Sequence, residues 1–289
     1  MANLRLIRNR IASVKNTRQI TKAMKMVAAA KLRQAEDRLR KSRPYAKKLD
    51  DLIDDLIRRT DISGFPLLSG REEPKTAELI VVTSDRGLCG GFNTNILKAA
   101  EIKLRELKAD YEHVTVSAIG RKARDYFRKR EWTLRAEYVN VLHEFDYTLA
   151  SEIGQEYIDA FEQEKFDEAY IVFNEFLTAM SQNVVVRKFL PLAEREKMQR
   201  EIFVDYRYEP VKERILEGLL PKEVRYILYK AFIESFAAEM GARMSAMESA
   251  TKNASEMIDS LTLKLNRARQ ATITNELMEI ISGAEALKG

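Results

Sequence analysis

Residues 1–43, MANLRLIRNRIASVKNTRQITKAMKMVAAAKLRQAEDRLRKSR, run without a proline or a glycine, and Leu4, Ile7, Ile11 and Val14 recur along them at spacings of 3, 4 and 3. Apolar residues at that period form the seam of a coiled-coil helix. The pattern resumes out of phase at Ile20, Met24 and Val27, then at Leu32, Ala35 and Leu39. That shift predicts a stripe drifting around the helix and an irregular supercoil. Pro44 is expected to kink the helix, because it removes a backbone donor and crowds the carbonyl of Arg40. A further apolar set, Leu49, Leu52 and Leu56, carries helix to about Arg59.

The other end of the chain repeats the pattern. No proline follows Pro221, which reads as a first-turn residue with Glu223 at the positive end of the helix dipole. Ile258, Leu261, Leu265 and Ala268 again step by 3, 4 and 3, below Phe236, Met240, Met244 and Met247. The small residues Ala237, Ala238, Gly241 and Ala242 are expected to allow another helix to approach closely. Sixty-odd residues at 1.5 Å each make a helix on the order of 100 Å long, against about 65 Å for residues 1–43. Two such helices at opposite ends suggest an antiparallel pair with the C-terminal one overhanging. Its last segment, with Ile273, Leu277, Ile280, Ile281 and Leu287, would expose apolar surface unless a partner covers it.

Between the helices the period changes. Glu78–Thr83 (ELIVVT), Val114–Ile119, Ala169–Phe173 (AYIVF) and Val184–Leu190 read as strands, and Asn93–Leu107, Arg121–Arg130 and Thr148–Glu164 as helices. Alternation of this kind means an α/β domain on a mostly parallel sheet, entered through the loop Gly64–Pro74 with its two prolines and two glycines. The fold class is α/β plus coiled coil: long antiparallel N- and C-terminal helices with an inserted Rossmann-like α/β domain. The division places a coiled-coil helix over 1–60, the inserted domain over 75–195 and the second coiled-coil helix over 210–289.

Composition excludes several classes of function. With 289 residues, 45% apolar and 32% charged, and only 11 Gly and 6 Pro, the chain is neither disordered nor collagen-like. Its longest stretches free of Asp, Glu, Lys and Arg run to eleven residues, as in Phe176–Val186, too short for a membrane-spanning helix. One cysteine, Cys89, permits no internal disulfide, and two histidines, His113 and His143, leave little for a transition metal. The segment Met1–Val14 lacks the apolar core of a secretory signal, although its basic amphipathic character would suit an organelle transit peptide. The net charge of +5 is partitioned: residues 1–48 carry 15 basic side chains against Glu36 and Asp37, whereas residues 221–289 balance nine against nine. The middle is therefore acidic, which a uniformly basic nucleic-acid binder would not be.

The sharpest local motif is TSDRGLCGGFN, Thr83–Asn93, a glycine-rich turn between a strand and a helix. Backbone N–H groups at a helix start attract anions, yet neither GxxxxGK[ST] nor GxGxxG is present, and a tight structural turn is favoured over a phosphate site. Cys89 could be nucleophilic beside a base, but inert packing is the better reading. His113 and His143 read as solvated surface positions. Asp50, Asp51, Asp54 and Asp55 could hold a divalent cation weakly; a solvated face balancing nearby lysines is favoured. The basic N-terminal helix could meet nucleic acid or an anionic membrane. No aromatic residue for stacking precedes Tyr45, and an acidic protein partner fits better.

Three stretches carry a family resemblance. IASVKNTRQITKAMKMVAAAKL (Ile11–Leu32), TSDRGLCGGFN and RARQATITNELMEIISGAEA (Arg267–Ala286) together resemble the gamma subunit of F-type ATP synthases, the last containing the signature positions Ile273, Thr274, Glu276, Glu279, Gly283 and Ala284. The resemblance implies the central shaft of a rotary motor, with no catalytic, cofactor-binding or metal-binding residue of its own. Its implied partners are three alpha and three beta subunits, the epsilon subunit and the c-ring of the membrane sector, and no nucleic acid. By the same resemblance Met24, Arg269, Gln270, Thr274 and Glu276 correspond to the coupling region facing an acidic loop of beta. Cys89 and Gly90 correspond to a contact just below the ring. The inserted redox-active cysteine pair of the chloroplast branch is missing, so thiol switching is not expected. The match begins within the first residues, which sets the transit-peptide reading aside and implies a bacterial protein peripheral to the cytoplasmic face of the cell membrane.

Overall fold

A computed structural model of the chain describes residues 2–142, 146–179, 181–192, 208–209 and 211–286. His143, Leu287 and the end of the 75–195 division lie outside the described residues. In chain order the elements are α1 (Ala2–Ile57), α2 (Pro66–Ser69), β1 (Thr76–Val82), α3 (Phe92–Asp110), β2 (His113–Ile119) and α4 (Arg121–Phe127). They continue as β3 (Thr133–Tyr138), α5 (Tyr147–Glu162), β4 (Glu168–Phe176), β5 (Gln182–Leu190) and α6 (Lys212–Ala286). The chain divides into two compact units, Met1–Ala28 with Met244–Gly289, and Ala29–Arg243.

In the first unit α1 and α6 run antiparallel: Thr21 pairs with Thr251 (2.8 Å between hydroxyls) and Lys25 with Glu248 (2.6 Å). The seam does not drift as expected. Ile20 and Val27 are 60% and 59% exposed, whereas Thr21 and Ala28 are buried, so Leu4, Ile7, Ile11, Val14, Thr21 and Ala28 keep one phase. The sequence misleads because a threonine occupies a seam position, its hydroxyl satisfied across the interface. On α6 the inward positions are Met247, Ala254 and Ile258, with Leu261, Leu265 and Ala268 half-buried. Beyond Thr272 every residue of α6 whose side chain is described is exposed.

The second unit begins with the rest of α1, where Leu32, Ala35, Leu39, Leu49, Ile53 and Leu56 are buried. Ile53 takes the inward position the sequence reading gave to Leu52. Pro44 lies inside α1 and helix continues on both sides of it. The helix ends at Ile57, two residues earlier than expected, as the Arg59 N–H turns to the carbonyl of Leu56. Pro221 does not open the second helix, since α6 starts at Lys212. A proline inside a helix costs about 3 kcal/mol, while Leu216, Leu220 and Val224 around it are all buried, each contributing roughly 1.5–3 kcal/mol. Here too the helices are antiparallel, with the rings of Tyr45 and Tyr226 5.6 Å apart and the Tyr226 hydroxyl donating to the carbonyl of Ser42.

The sheet has the order β3-β2-β1-β4-β5. Its first four strands are parallel and β5 returns antiparallel to β4. Leu79, Val81, Val116, Ala118 and Val172 on one face join Phe92, Ile96, Leu104 and Phe127 in one core. On the other face Tyr157 and Phe161 of α5 meet Phe166, and Tyr157 also meets Phe189. The sequence reading missed β3, although TLRAEY alternates Leu134, Ala136 and Tyr138 with Thr133, Arg135 and Glu137. Arg135 reaches across β2 to the buried Glu78 of β1. It also missed the four-residue α2.

Candidate coupling surfaces and the glycine-rich turn

The turn Thr83–Asn93 is built from its own polar side chains. Asn93 Oδ1 accepts from the Ser84 amide at 3.0 Å, and Ser84 Oγ donates to the Arg86 carbonyl at 2.6 Å. Leu88 and Gly90 have φ values of 64° and 58°, a region glycine enters freely and leucine at a cost. The neighbouring β2–α4 turn is equally constrained: a Cβ on Gly120 (φ +91) would stand 2.1 Å from the Thr83 carbonyl oxygen.

Cys89 faces inward as part of the core, 2% exposed. Burial pushes its thiol above the ordinary range, offset in part by the Ser84 hydrogen bond, so it is held as a neutral thiol and the packing reading stands. Leu88, 63% exposed, and Gly90 on either side of Cys89 are accessible, whereas the sulfur is buried. From α6, Arg243 Nη2 donates to the carbonyls of Gly87 (3.1 Å) and Arg86 (3.4 Å). Its Nη1 pairs with Glu239 at 2.6 Å. Burial pushes the Glu239 carboxyl up and Arg243 pulls it back.

His113 is exposed at the start of β2, as expected. Of the acidic cluster, Asp55 accepts from Tyr208 and pairs with Arg59. Among the described residues no group of His, Cys, Asp and Glu could hold a metal ion, and no helix is long and apolar enough to cross a membrane.

The candidate coupling residues all lie in the first unit but do not form one constellation. Met24 is half-buried on α1, at the level of Glu248 and Thr251. Arg269, Gln270, Thr274 and Glu276 are exposed on α6, about 30 Å further along its axis at 1.5 Å per residue. The Thr274 hydroxyl bonds back to the Gln270 carbonyl at 3.0 Å. The sequence reading missed a second apolar stripe. Leu6, Ile20 and Val27, spaced in multiples of seven, are exposed together with Met26. Heptad spacing was the available signal, read there as part of the seam.

The sequence model of the family described as ATP synthase matches residues 3–287. The ATP synthase gamma chain of Geobacter metallireducens is 51% identical over 289 residues, covering all of both chains. This chain belongs to the ATP synthase gamma chain family. The gamma chain of Geotalea uraniireducens is 48% identical, again over the whole of both. Among solved structures, the central stalk and c-ring of the Tetrahymena thermophila mitochondrial ATP synthase contains a chain similar at 26% identity and TM-score 0.60, covering 80% of this chain and 99% of that one. A chain of the Euglena gracilis mitochondrial ATP synthase rotor shares the fold at 22% identity and TM-score 0.68, covering 94% and 99%. Membership of the gamma family makes the chain a central-stalk subunit of an F-type ATP synthase, with two long terminal helices around a mixed α/β sheet.

Proposed function

We propose that the chain works as the rotor shaft itself, coupling ion flow through the membrane sector to ATP synthesis or hydrolysis on the beta subunits, and that it contributes no catalytic residue. The observation that carries this is the outer surface of the first unit. It exposes Leu6, Ile20, Met26 and Val27 on α1 and Leu263, Ile273, Leu277, Met278, Ile280 and Ile281 on α6. Residues 1–28 meanwhile carry no acidic side chain. Apolar surface of this extent is covered in use, and the basic residues among it favour an acidic surrounding.

On this reading the 1–60 and 210–289 helices enter a ring of three alpha and three beta subunits. Arg269, Gln270, Thr274 and Glu276 meet beta at one level and Met24 at another. The turn carrying Leu88, Cys89 and Gly90 lies below the ring, the 75–195 domain meets epsilon and the c-ring, and the complex sits on the cytoplasmic face of the membrane. Rotation then redistributes binding free energy among three catalytic sites, because each beta subunit faces a different side of an asymmetric shaft. The test is affinity purification of the tagged chain followed by rotation of a bead fixed to it. Recovery of alpha, beta and epsilon with ATP-driven turning is expected; a chain recovered alone, or a complex hydrolysing ATP around a stationary chain, would refute the reading.

A further inference from the structure

In an open doubly wound sheet, ligands bind outside the carboxyl ends of the strands where the strand order reverses. Here that point lies between β1 and β4, and the turns that leave their ends are Thr83–Asn93 and the β4–β5 connection around Ala179. Both turns are occupied by α6. Gly241 brings its backbone so close to Ala179 that a Cβ would meet the Ala179 carbonyl oxygen at 2.9 Å and its Cα at 3.2 Å. Arg243 gives Nη2 to the carbonyls of the glycine-rich turn and Nη1 to Glu239. The pair is almost dry, with side chains 11% and 6% exposed. The crevice that a ligand would fill in this fold is filled by the protein's own helix.

The two contacts lie on different sides of that helix. Residues 241 and 243 are two steps apart, about 200° around the axis at 3.6 residues per turn. A helix held from nearly opposite sides resists turning within its seat, whereas contacts along one side would serve only as a bearing. The guanidinium suits the task because its planar fork reaches two acceptors at once, with less freedom lost per bond than a lysine ammonium. Glu239, one turn earlier, fixes the fork's rotamer. Gly87 and Arg86 offer main-chain carbonyls, so the bonds end on backbone at the turn.

We propose that Arg243, oriented by Glu239, is the latch that transmits turning between helix α6 and the α/β domain, a positioning residue for coupling and not a contact to nucleotide or beta. The proposal rests on the rotary reading above. Its test uses the assembled complex in a Cys89→Ser background, with a rigid optical probe at Lys98→Cys, an exposed position on α3, and the ring immobilised. Two variants are compared with the parent. Arg243→Lys keeps a cation beside Glu239 but loses the fork, and the pair Glu239→Gln/Arg243→Met removes the latch without leaving a buried charge unpaired.

Arg243 is one of several restraints on α6, beside the Arg225–Gln155 hydrogen bond, the Tyr147–Tyr229 ring contact and Ala238 in the core. Removing it raises the mean-square angular fluctuation of the probe by less than about twofold. The paired variant is therefore expected to show an increase within that bound, with Arg243→Lys in between, and to pump fewer ions per ATP against a gradient while hydrolysis persists. Unchanged fluctuation and pumping in both variants that assemble would overturn the latch. Equal losses of hydrolysis and pumping with unchanged fluctuation would overturn it too, leaving Arg243 a packing residue. A parent probe that does not turn with ATP would instead overturn the rotary reading on which the latch depends.

Discussion

Replacing Arg135 by methionine tests the polar heart of the α/β domain. Glu78 lies on β1 with no exposed surface, and accepts from Ser117 of β2 and Arg135 of β3. The Arg135 guanidinium is itself held 4.9 Å from the Tyr157 ring and 5.6 Å from the Phe166 ring. Burial pushes the Glu78 carboxyl above its usual range, and Arg135 and Ser117 only partly pull it back. Arg135→Met removes the compensating cation and leaves the carboxylate in the core, which costs about 3–5 kcal/mol.

That loss has a direction in pH. A glutamate whose folded pKa exceeds its unfolded value, about 4.3, binds its proton more tightly when folded. Its effect on stability is therefore neutral below the unfolded value, and stability falls as pH rises through the window up to the folded value. Losing Arg135 extends the window upward, so the variant should suffer more at pH 8 than at pH 5. The assay is hydrogen exchange of β1 and β2 peptides in the assembled complex, corrected for the intrinsic rate at each pH. At about 1.4 kcal/mol per factor of ten, protection at pH 8 should fall roughly 100- to 4,000-fold, up to the ceiling set by global opening. Glu78→Gln in the same background should restore most of it. Protection within about threefold of the parent at pH 8, or a loss equal at both pH values, would refute the claim that an unpaired buried carboxylate is the cause.

Gly120→Ala should prevent the β1–α3 and β2–α4 turns from closing together, since the new Cβ meets the Thr83 carbonyl at 2.1 Å on a backbone at φ +91; assembly yield measures it, and normal yield would contradict the geometry. Cys89→Ser should leave assembly and ATP hydrolysis close to the parent and both insensitive to dithiol, because the thiol is buried and neutral; several-fold activation by reductant would sink this. Arg269→Glu, an exposed change in the first unit, should lower ATP-driven ion pumping more than hydrolysis, most visibly at low salt where charge effects are least screened. Equal pumping by variant and parent at low salt would remove Arg269 from the coupling surface.

The fold was legible wherever burial followed hydrophobicity. The runs ELIVVT and AYIVF are apolar enough to announce buried strands, and the proline-free ends announce long helices. What failed were positions where polar groups are buried in pairs. Thr21 hid the true phase of the seam because its partner, Thr251, lies 230 residues away. The alternation of Leu134, Ala136 and Tyr138 in β3 went unread beside the charges of Arg135 and Glu137, and the acceptor of Arg135, Glu78, is on another strand. Pro221 looked like a helix start because propensity favours it there, whereas burial on either side carries the helix through it. The latch was invisible for the same reason as the seam: nothing local to Arg243 or to the glycine-rich turn says that they meet. The small residues around Gly241 did signal a close approach, but of a helix, whereas the backbone that meets Gly241 is the β4–β5 connection at Ala179.

The first unit also explains how a shaft can be held without being stuck. Its seam is thin, since Thr21, Ala28, Ala254 and Ala268 bury little apolar area and Leu4, Ile7, Ile11 and Val14 are only half-buried. Fully covering one exposed Leu, Ile or Met would contribute roughly 1.5–3 kcal/mol, so a pocket matching every exposed apolar residue at one angle would lock the rotor. The sequence spreads them instead. Ile20 and Val27 stand between Arg18 and Lys31, Leu6 stands between Arg5 and Arg8, and Leu263 stands beside Lys264. At any angle a surrounding ring can cover some of these residues while meeting basic side chains next to them. Adhesion then stays partial at every angle and varies with it, as a turning shaft requires. The end of α6 differs, because Ile273, Leu277, Ile280 and Ile281 follow one another with Glu276 and Glu279 as the only charges among them. That concentration suits a sleeve that is smooth all round rather than three discrete sites, so Leu277→Asp should loosen assembly while leaving the ions pumped per ATP in surviving complexes unchanged. A fall in that ratio with assembly intact would place coupling, and not bearing, at the end of the helix.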